Sequence, residues 1–255
     1  MEHRSIDPSR LGIMETVLTI LTPVTFVLFL LFERLFPARE LPKVRGWVGK
    51  GLAFFVLNAA VSTLIPMGAA MIFGSWSPVK LRVIGDVPSG IVAFVVADFA
   101  IYVTHRLLHT VPLLWRLTHQ MHHSAERLDV AGSSYFHPLD LVLFAIPFTL
   151  AVVLLGLTPD AAALSGFLVF FVTTFQHLNV RTPQWLGWII QRPEAHSVHH
   201  ARGIHAYNYG GVMLWDILFG TFRNPPSFHG VQGFWDGASA KMGAMLVGRD
   251  VSERP

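Results

Sequence analysis

The 255-residue chain contains no cysteine. That absence excludes disulfides, thiolate-ligated haem, iron–sulfur clusters and thiol nucleophiles built from this chain alone. Charge is also scarce. Only 14% of residues are Asp, Glu, Lys or Arg, against 52% hydrophobic, and the mean hydropathy is +0.49. A surface facing only water needs more charge than this, so much of the surface faces lipid. The pI near 9.5 does not indicate a nucleic-acid partner, because the net charge is only +3 and no run of five or more basic residues occurs. The zinc-protease pattern His-Glu-x-x-His and the Glu-x-x-His pattern of soluble di-iron bundles are missing as well.

What is plentiful is histidine. Of 13 histidines, eleven lie between His105 and His205. The same chain is rich in apolar runs. The run 16–32 has no charge and is longer than the roughly 7–15 residues of a signal-peptide core, so it is expected to be a retained span. Further runs cover 51–73, 87–104, 141–157 and 161–175, the third containing one acid, Asp98. The last two are separated by Thr158-Pro159-Asp160, a turn signal, and are short for a hydrocarbon core of roughly 30 Å. They form either a tight transmembrane hairpin or a re-entrant pair. The expected fold is all-α: a multi-pass bundle of four to five spans with a cytoplasmic helical cap carrying the histidines. Residues 1–85 would be N-terminal spans, 86–222 the catalytic region and 223–255 a loosely structured tail rich in Pro, Gly and Ser.

Charge sets the expected orientation. If the segment after the first span is cytoplasmic, 15 Lys and Arg residues lie inside and four (Arg4, Arg10, Lys80, Arg82) outside, as the positive-inside rule favours. The same arrangement places every histidine-rich segment on the cytoplasmic side. Trp185, Trp188 and Trp215 are candidates for an interfacial aromatic belt.

Three motifs carry the chemistry. His105 and His109 form an HxxxH pattern; His119, His122 and His123, and again His196, His199 and His200, form HxxHH patterns. Residues three and four apart share a helix face, so each box can aim two or three imidazoles at one point. Eight converging imidazoles exceed what one ion uses, since zinc typically takes four ligands, so two metals are expected. Imidazole suits Zn, Cu, Fe and Ni alike, so spacing alone does not select the metal.

The order HxxxH, HxxHH, HxxHH, with a hydrophobic hairpin between the second and third boxes, resembles the fatty acid hydroxylase/sterol desaturase superfamily. The likeness runs from about Asp98 to Thr221 and includes Phe136-His137-Pro138, Gln176-His177-x-Asn179 and Asn208-Tyr209-Gly210 followed by Leu214-Trp215-Asp216-x-x-Phe219-Gly220-Thr221. Members of that family are membrane-bound non-haem di-iron oxygenases that hydroxylate or desaturate lipids. The resemblance therefore implies two iron ions, dioxygen and a lipid substrate such as a sterol or fatty acyl chain, with zinc a substitute that the same ligands accept. It assigns as ligands His105, His109, His119, His122, His123, His196, His199 and His200, and adds His177. Where the fatty-acid 2-hydroxylase branch has a further histidine, this chain has Thr173, leaving the tenth position to His137 or a water. The FHP motif looks more like the sterol C5-desaturase and alkylglycerol monooxygenase side.

Asp98 lies two helical turns before His105, where its carboxylate could accept a hydrogen bond from a ligand's second ring nitrogen. Asp216 could do the same for the third box, and Asn179 and Asn208 are weaker candidates. His205, five residues after the third box, is read as a surface histidine, and His3 and His229 as background. No cytochrome b5, flavin or nicotinamide signature occurs, so electrons are expected from a separate ferredoxin, rubredoxin or cytochrome b5-like donor. The alternative is a histidine-rich membrane metal transporter or metal-binding protein, whose ligands would sit near mid-membrane rather than at span ends.

Overall fold

The computed structural model describes residues 12–254; His3, Arg4 and Arg10 lie outside them. Five apolar helices make the body: α1 (Ile13–Leu35), α2 (Trp47–Phe73), α3 (Asp86–Thr110), α6 (Pro138–Leu155) and α7 (Pro159–Phe175). Between α3 and α6 come the short α4 (Pro112–Leu114), a π-helical turn (Trp115–His119) and α5 (Gln120–His123); α8 (Pro193–His199), α9 (Met213–Leu218) and α10 (Met242–Leu246) follow α7. Among the described residues there is no strand, only two isolated bridges, Ile190 with Val212 and Ala201 with Gln232. At about 1.5 Å per residue, α1, α2 and α3 exceed the roughly 30 Å hydrocarbon core. Four helices (α1, α2, α3 and α6) are long and apolar enough to cross a membrane, and the chain is a multi-pass membrane protein.

The five helices run between the same two ends. At one end, the Thr158 hydroxyl that caps α7 also donates to Asp86 at the start of α3 (2.5 Å), while the Glu15 amide near the start of α1 donates to Asp160 (2.7 Å). The turn between α6 and α7 is tight because Gly156 ends α6 at φ 62° and Pro159 opens α7 with the φ a first helical turn needs. At the other end lie the C-termini of α1, α3 and α7 and the N-terminus of α6. The α6–α7 pair is therefore a full hairpin with both feet at the histidine end. Close approach of α3 to α7 depends on Gly90, where an added Cβ would lie 2.9 Å from the Ala161 carbonyl oxygen.

The histidine end is capped by the loops and the C-terminal segment. The buried Glu33 carboxylate at the foot of α1 accepts from the Val130 amide (3.0 Å) and the Asn179 amide (3.3 Å), and Trp47 donates to Asp129 (2.8 Å). The expectation of a loose tail is corrected. Ala238, Met245 and Val251 are buried, the Tyr135 hydroxyl donates to the Ser239 carbonyl (3.0 Å), and Glu126 accepts from the amides of Gly237 and Ser239. A few apolar residues spaced among the Gly and Ser anchor the segment over the cap, a pattern too sparse to show as periodicity.

Candidate metal centre

Three elements deliver the boxes. The helix α3 continues past its apolar run through His105 and His109; the helical stretch from Trp115 through α5 carries His119, His122 and His123; α8 carries His196 and His199, with His200 closing it. Their imidazoles gather into two groups. The first is His105, His109, His119, His123 and His199; the second is His122, His177, His196 and His200. Within each group one ring nitrogen per residue lies within 4.8 Å of all the others. The groups adjoin, with the rings of His123 and His200 stacked at 4.0 Å and those of His196 and His199 5.0 Å apart.

The division follows from helix geometry. At about 100° per residue, positions i and i+4 are separated by about 40°, whereas i+3 and i+4 are about 100° apart. In the second box His119 and His123 therefore serve the first group and His122 the second. In the third box the pair His196 and His200 serves the second group and His199 the first. Each box thus aims two imidazoles at one point, as its spacing allows, and the third histidine of each HxxHH box goes to the other group, the two boxes splitting in opposite senses.

Burial keeps these rings neutral. Desolvation, followed by the neighbouring imidazoles, holds His119, His122, His123, His196, His199 and His200 well below the ordinary histidine range. Burial pushes His177 down to about 4. A neutral imidazole has one N–H and one lone pair. In most of these residues the Nδ1 side has an acceptor. His105 donates to the Tyr209 carbonyl (2.8 Å), His119 to the Asp140 carboxylate (2.8 Å), His199 to the Tyr207 carbonyl (2.7 Å), and His177 to the Thr173 carbonyl (2.6 Å). His122 is 3.3 Å from the Tyr135 carbonyl.

With Nδ1 protonated, the lone pairs on Nε2 face inward. In the first group the Nε2 atoms of His105, His109, His119, His123 and His199 are all buried without a hydrogen-bond partner. In the second, Nε2 of His177 lies 3.2 Å from that of His122 and 3.1 Å from that of His196, which is 3.1 Å from that of His200. The outward bonds of His122 and His177 use their only protons, so His122 and His177 meet lone pair to lone pair. Buried polar atoms left this way are costly, and converging lone pairs repel. A cation in each group resolves both problems, and the donor set fits a pair of imidazole-seeking ions such as iron or zinc.

Several expected site residues stand elsewhere. His137 joins neither group: its Nδ1 accepts from the Leu139 amide as the cap of α6 (3.1 Å), and its Nε2 is 3.3 Å from the Leu246 carbonyl. Capping α6 gives His137 a structural role within its motif that involves neither group. Asp98 touches no histidine. It accepts from the amides of Gly211 and Val212, and Asp216 accepts from those of Tyr209 and Gly210. Asn179 also touches none; its side chain donates to the Arg39 carbonyl (2.7 Å) and so ties α7's exit to the α1–α2 loop. Asn208 pins its own loop through the carbonyls of Ala195 and Arg223.

Two contributors were not anticipated. Asp140, fully buried, is the only carboxylate bonded to a member of either group among the described residues. It is an acid opening an apolar span, the same signal that drew attention to Asp98. His205, half-buried and held at φ 43°, brings its Nδ1 to within 3.1 Å of His123 Nδ1, so it borders the first group rather than standing apart on the surface.

Known proteins are similar to this chain over half of its length or more. The chain is 30% identical to an ornithine lipid hydroxylase of Rhizobium tropici over 227 residues, covering 79% of this chain and 66% of the relative. It is 32% identical to human lathosterol oxidase over 157 residues (58% and 52%) and 31% identical to human alkylglycerol monooxygenase over 135 residues (51% and 30%). The chain thus spans about a third to two thirds of the length of these relatives. No solved structure matches. The family described as fatty acid hydroxylase matches residues 90–221, more than half the chain and all nine grouped histidines, and the chain belongs to that family.

Proposed function

We propose that this protein is a membrane-bound oxidoreductase that hydroxylates or desaturates a lipid at a two-metal histidine centre. The observation that carries the reading is the pair of adjoining groups, five and four imidazoles, all buried except the half-buried His109, whose inward-facing nitrogens converge at one end of a bundle of apolar helices. Family membership favours iron in both groups, with zinc a non-productive substitute. Bound iron would supply the activation of dioxygen and the removal of hydrogen from an unactivated C–H bond.

The chain's own residues hold and enclose that chemistry. His105, His109, His119, His123 and His199 would hold one ion, and His122, His177, His196 and His200 the other. Phe136 stacks on His122 at 4.0 Å, and Phe144 lies 5.7 Å from His105 and 5.9 Å from His119. These rings form an apolar wall beside the centre on the side where α6 enters the bundle. A lipid chain entering from the bilayer lies against them, and water is excluded there. Relatives that act on ornithine lipid, lathosterol and alkylglycerol share a long apolar body with a polar head, and that class is the proposed substrate. The excess of Lys and Arg in the segments at the histidine end supports a cytoplasmic orientation. Electrons would then reach the centre from a separate cytoplasmic donor of the ferredoxin, rubredoxin or cytochrome b5 type.

The test is purification in detergent, measurement of metal per chain, oxygen uptake with ferrous iron and a reductant, and mass spectrometry of lipids from cells with and without the protein. The reading expects two irons per chain, oxygen uptake, and a lipid that gains one oxygen atom or loses two hydrogens. Ion flux without oxygen uptake or lipid change would reject it.

A further inference from the structure

Four successive backbone amides, those of Tyr209, Gly210, Gly211 and Val212, each donate to a different carboxylate oxygen. Tyr209 and Gly210 bond to the two oxygens of Asp216 (2.9 and 2.8 Å), and Gly211 and Val212 to the two oxygens of Asp98 (3.0 Å each). Both carboxylates are buried, and Asp98 comes from within the apolar helix α3. The glycines are required by the closeness of the grip. A Cβ on Gly211 would lie 2.8 Å from Asp98 Oδ1 and 2.7 Å from Val172 Cγ2, and one on Gly210 would lie 3.3 Å from Asp216 Oδ2. Thr221 donates to Asp216 (2.6 Å), and Gln191 donates from its amide to the Gly211 carbonyl (2.8 Å).

The opposite side of this short strap faces the histidines. The carbonyl of Tyr209 takes the His105 Nδ1 proton and that of Tyr207 takes the His199 Nδ1 proton. His105 and His199 come from different boxes, yet both belong to the five-histidine group. No member of the four-histidine group bonds to the strap; His122 and His177 use the carbonyls of Tyr135 and Thr173. The helix α3 supplies both the carboxylate that grips the strap and, two turns later, the histidine that the strap orients.

We propose that Asp98 and Asp216 are positioning residues for one metal only: they clamp the 207–212 strap, whose carbonyls fix the ring orientation and tautomer of His105 and His199. This rests on the two-metal reading above. Such a carboxylate clamp acts on the histidines through peptide carbonyls, unlike the direct bond of Asp140 to His119. It also explains an ionisable group inside an apolar span that touches no ligand. Loss of groups that orient metal-bound histidines typically lowers metal affinity by about 10–100-fold.

The test is titration of the metal-free detergent-solubilised protein with cobalt(II), followed by its visible absorption, for the wild type, D98N and G211A. Four-coordinate cobalt absorbs more strongly than five-coordinate, so the two groups report separately. The wild type should take up two equivalents. D98N and G211A should keep the strongly absorbing equivalent unchanged and bind the second about 10–100-fold more weakly. If neither variant gives monodisperse protein, T221V, which removes one hydrogen bond to Asp216, should shift the same equivalent in the same direction. Equal weakening of both equivalents, or binding of both unchanged alongside a lower melting temperature, would overturn the proposal. A wild type that binds fewer than two equivalents would instead overturn the two-metal reading.

Discussion

The two histidine groups share the second and third boxes, the first box serving only the five-histidine group and His177 only the four-histidine group, and they are held in different ways. Among the four-histidine group, His177 and His122 are fixed by carbonyls close in sequence: Thr173 is one turn before His177, and Tyr135 is 13 residues after His122. In the five-histidine group His199 is also held nearby, by a carbonyl eight residues on, but His105 is held by a carbonyl 104 residues distant and His119 by a carboxylate 21 residues on. The four-histidine group therefore rests on local helix and turn geometry, whereas the five-histidine group, through His105, rests in addition on the assembled tertiary structure. A perturbation that leaves the helices intact but loosens their assembly should reach the second kind first.

The largest expected effect comes from removing a ligand. H105A should empty the five-histidine group and H196A the four-histidine group, each lowering metal content from two to about one per chain and product formation by about a hundredfold or more. Metal analysis of the two variants, and of both changes combined, checks whether the groups are separate. If either variant alone releases both metals, the comparison between the groups fails.

A smaller effect is expected at Asp140, the one direct carboxylate partner. D140N keeps an acceptor oxygen but loses the charge, so metal affinity of the five-histidine group should fall by about tenfold, with the other group unaffected. Competition with a chelator, read as two release phases, measures this. The smallest effect belongs to His137. H137A should leave two metals bound and cost about 1 kcal/mol of stability through the lost cap of α6, visible as a lower melting temperature. Loss of a metal on that change would restore His137 to the ligand set.

The spans and the eight box histidines that the structure groups were legible in the sequence because both are local signals, whereas His177 was reached only through the family resemblance. Apolar runs such as 51–73 and 87–104 match α2 and α3 closely, and box spacing reflects helical periodicity. How the boxes divide between two ions was not legible, because it depends on how α5 and α8 are rotated relative to each other. The strap was hidden for the same reason. Asp98 and Asp216 stood out as acids in apolar surroundings, but their partners are backbone amides that carry no residue-type signature. Asp140 carried the same signal as Asp98 and was passed over beside the histidine of the FHP motif. The C-terminal segment read as loose because its anchors, Met245 and Val251, are isolated apolar residues among Gly, Ser and charge.

The most direct measurement of the central claim is anomalous X-ray diffraction at the iron absorption edge from crystals of the iron-loaded protein. Two separate peaks are predicted, one among His105, His109, His119, His123 and His199 and the other among His122, His177, His196 and His200. A single peak shared by all nine rings, or none at all, would contradict it.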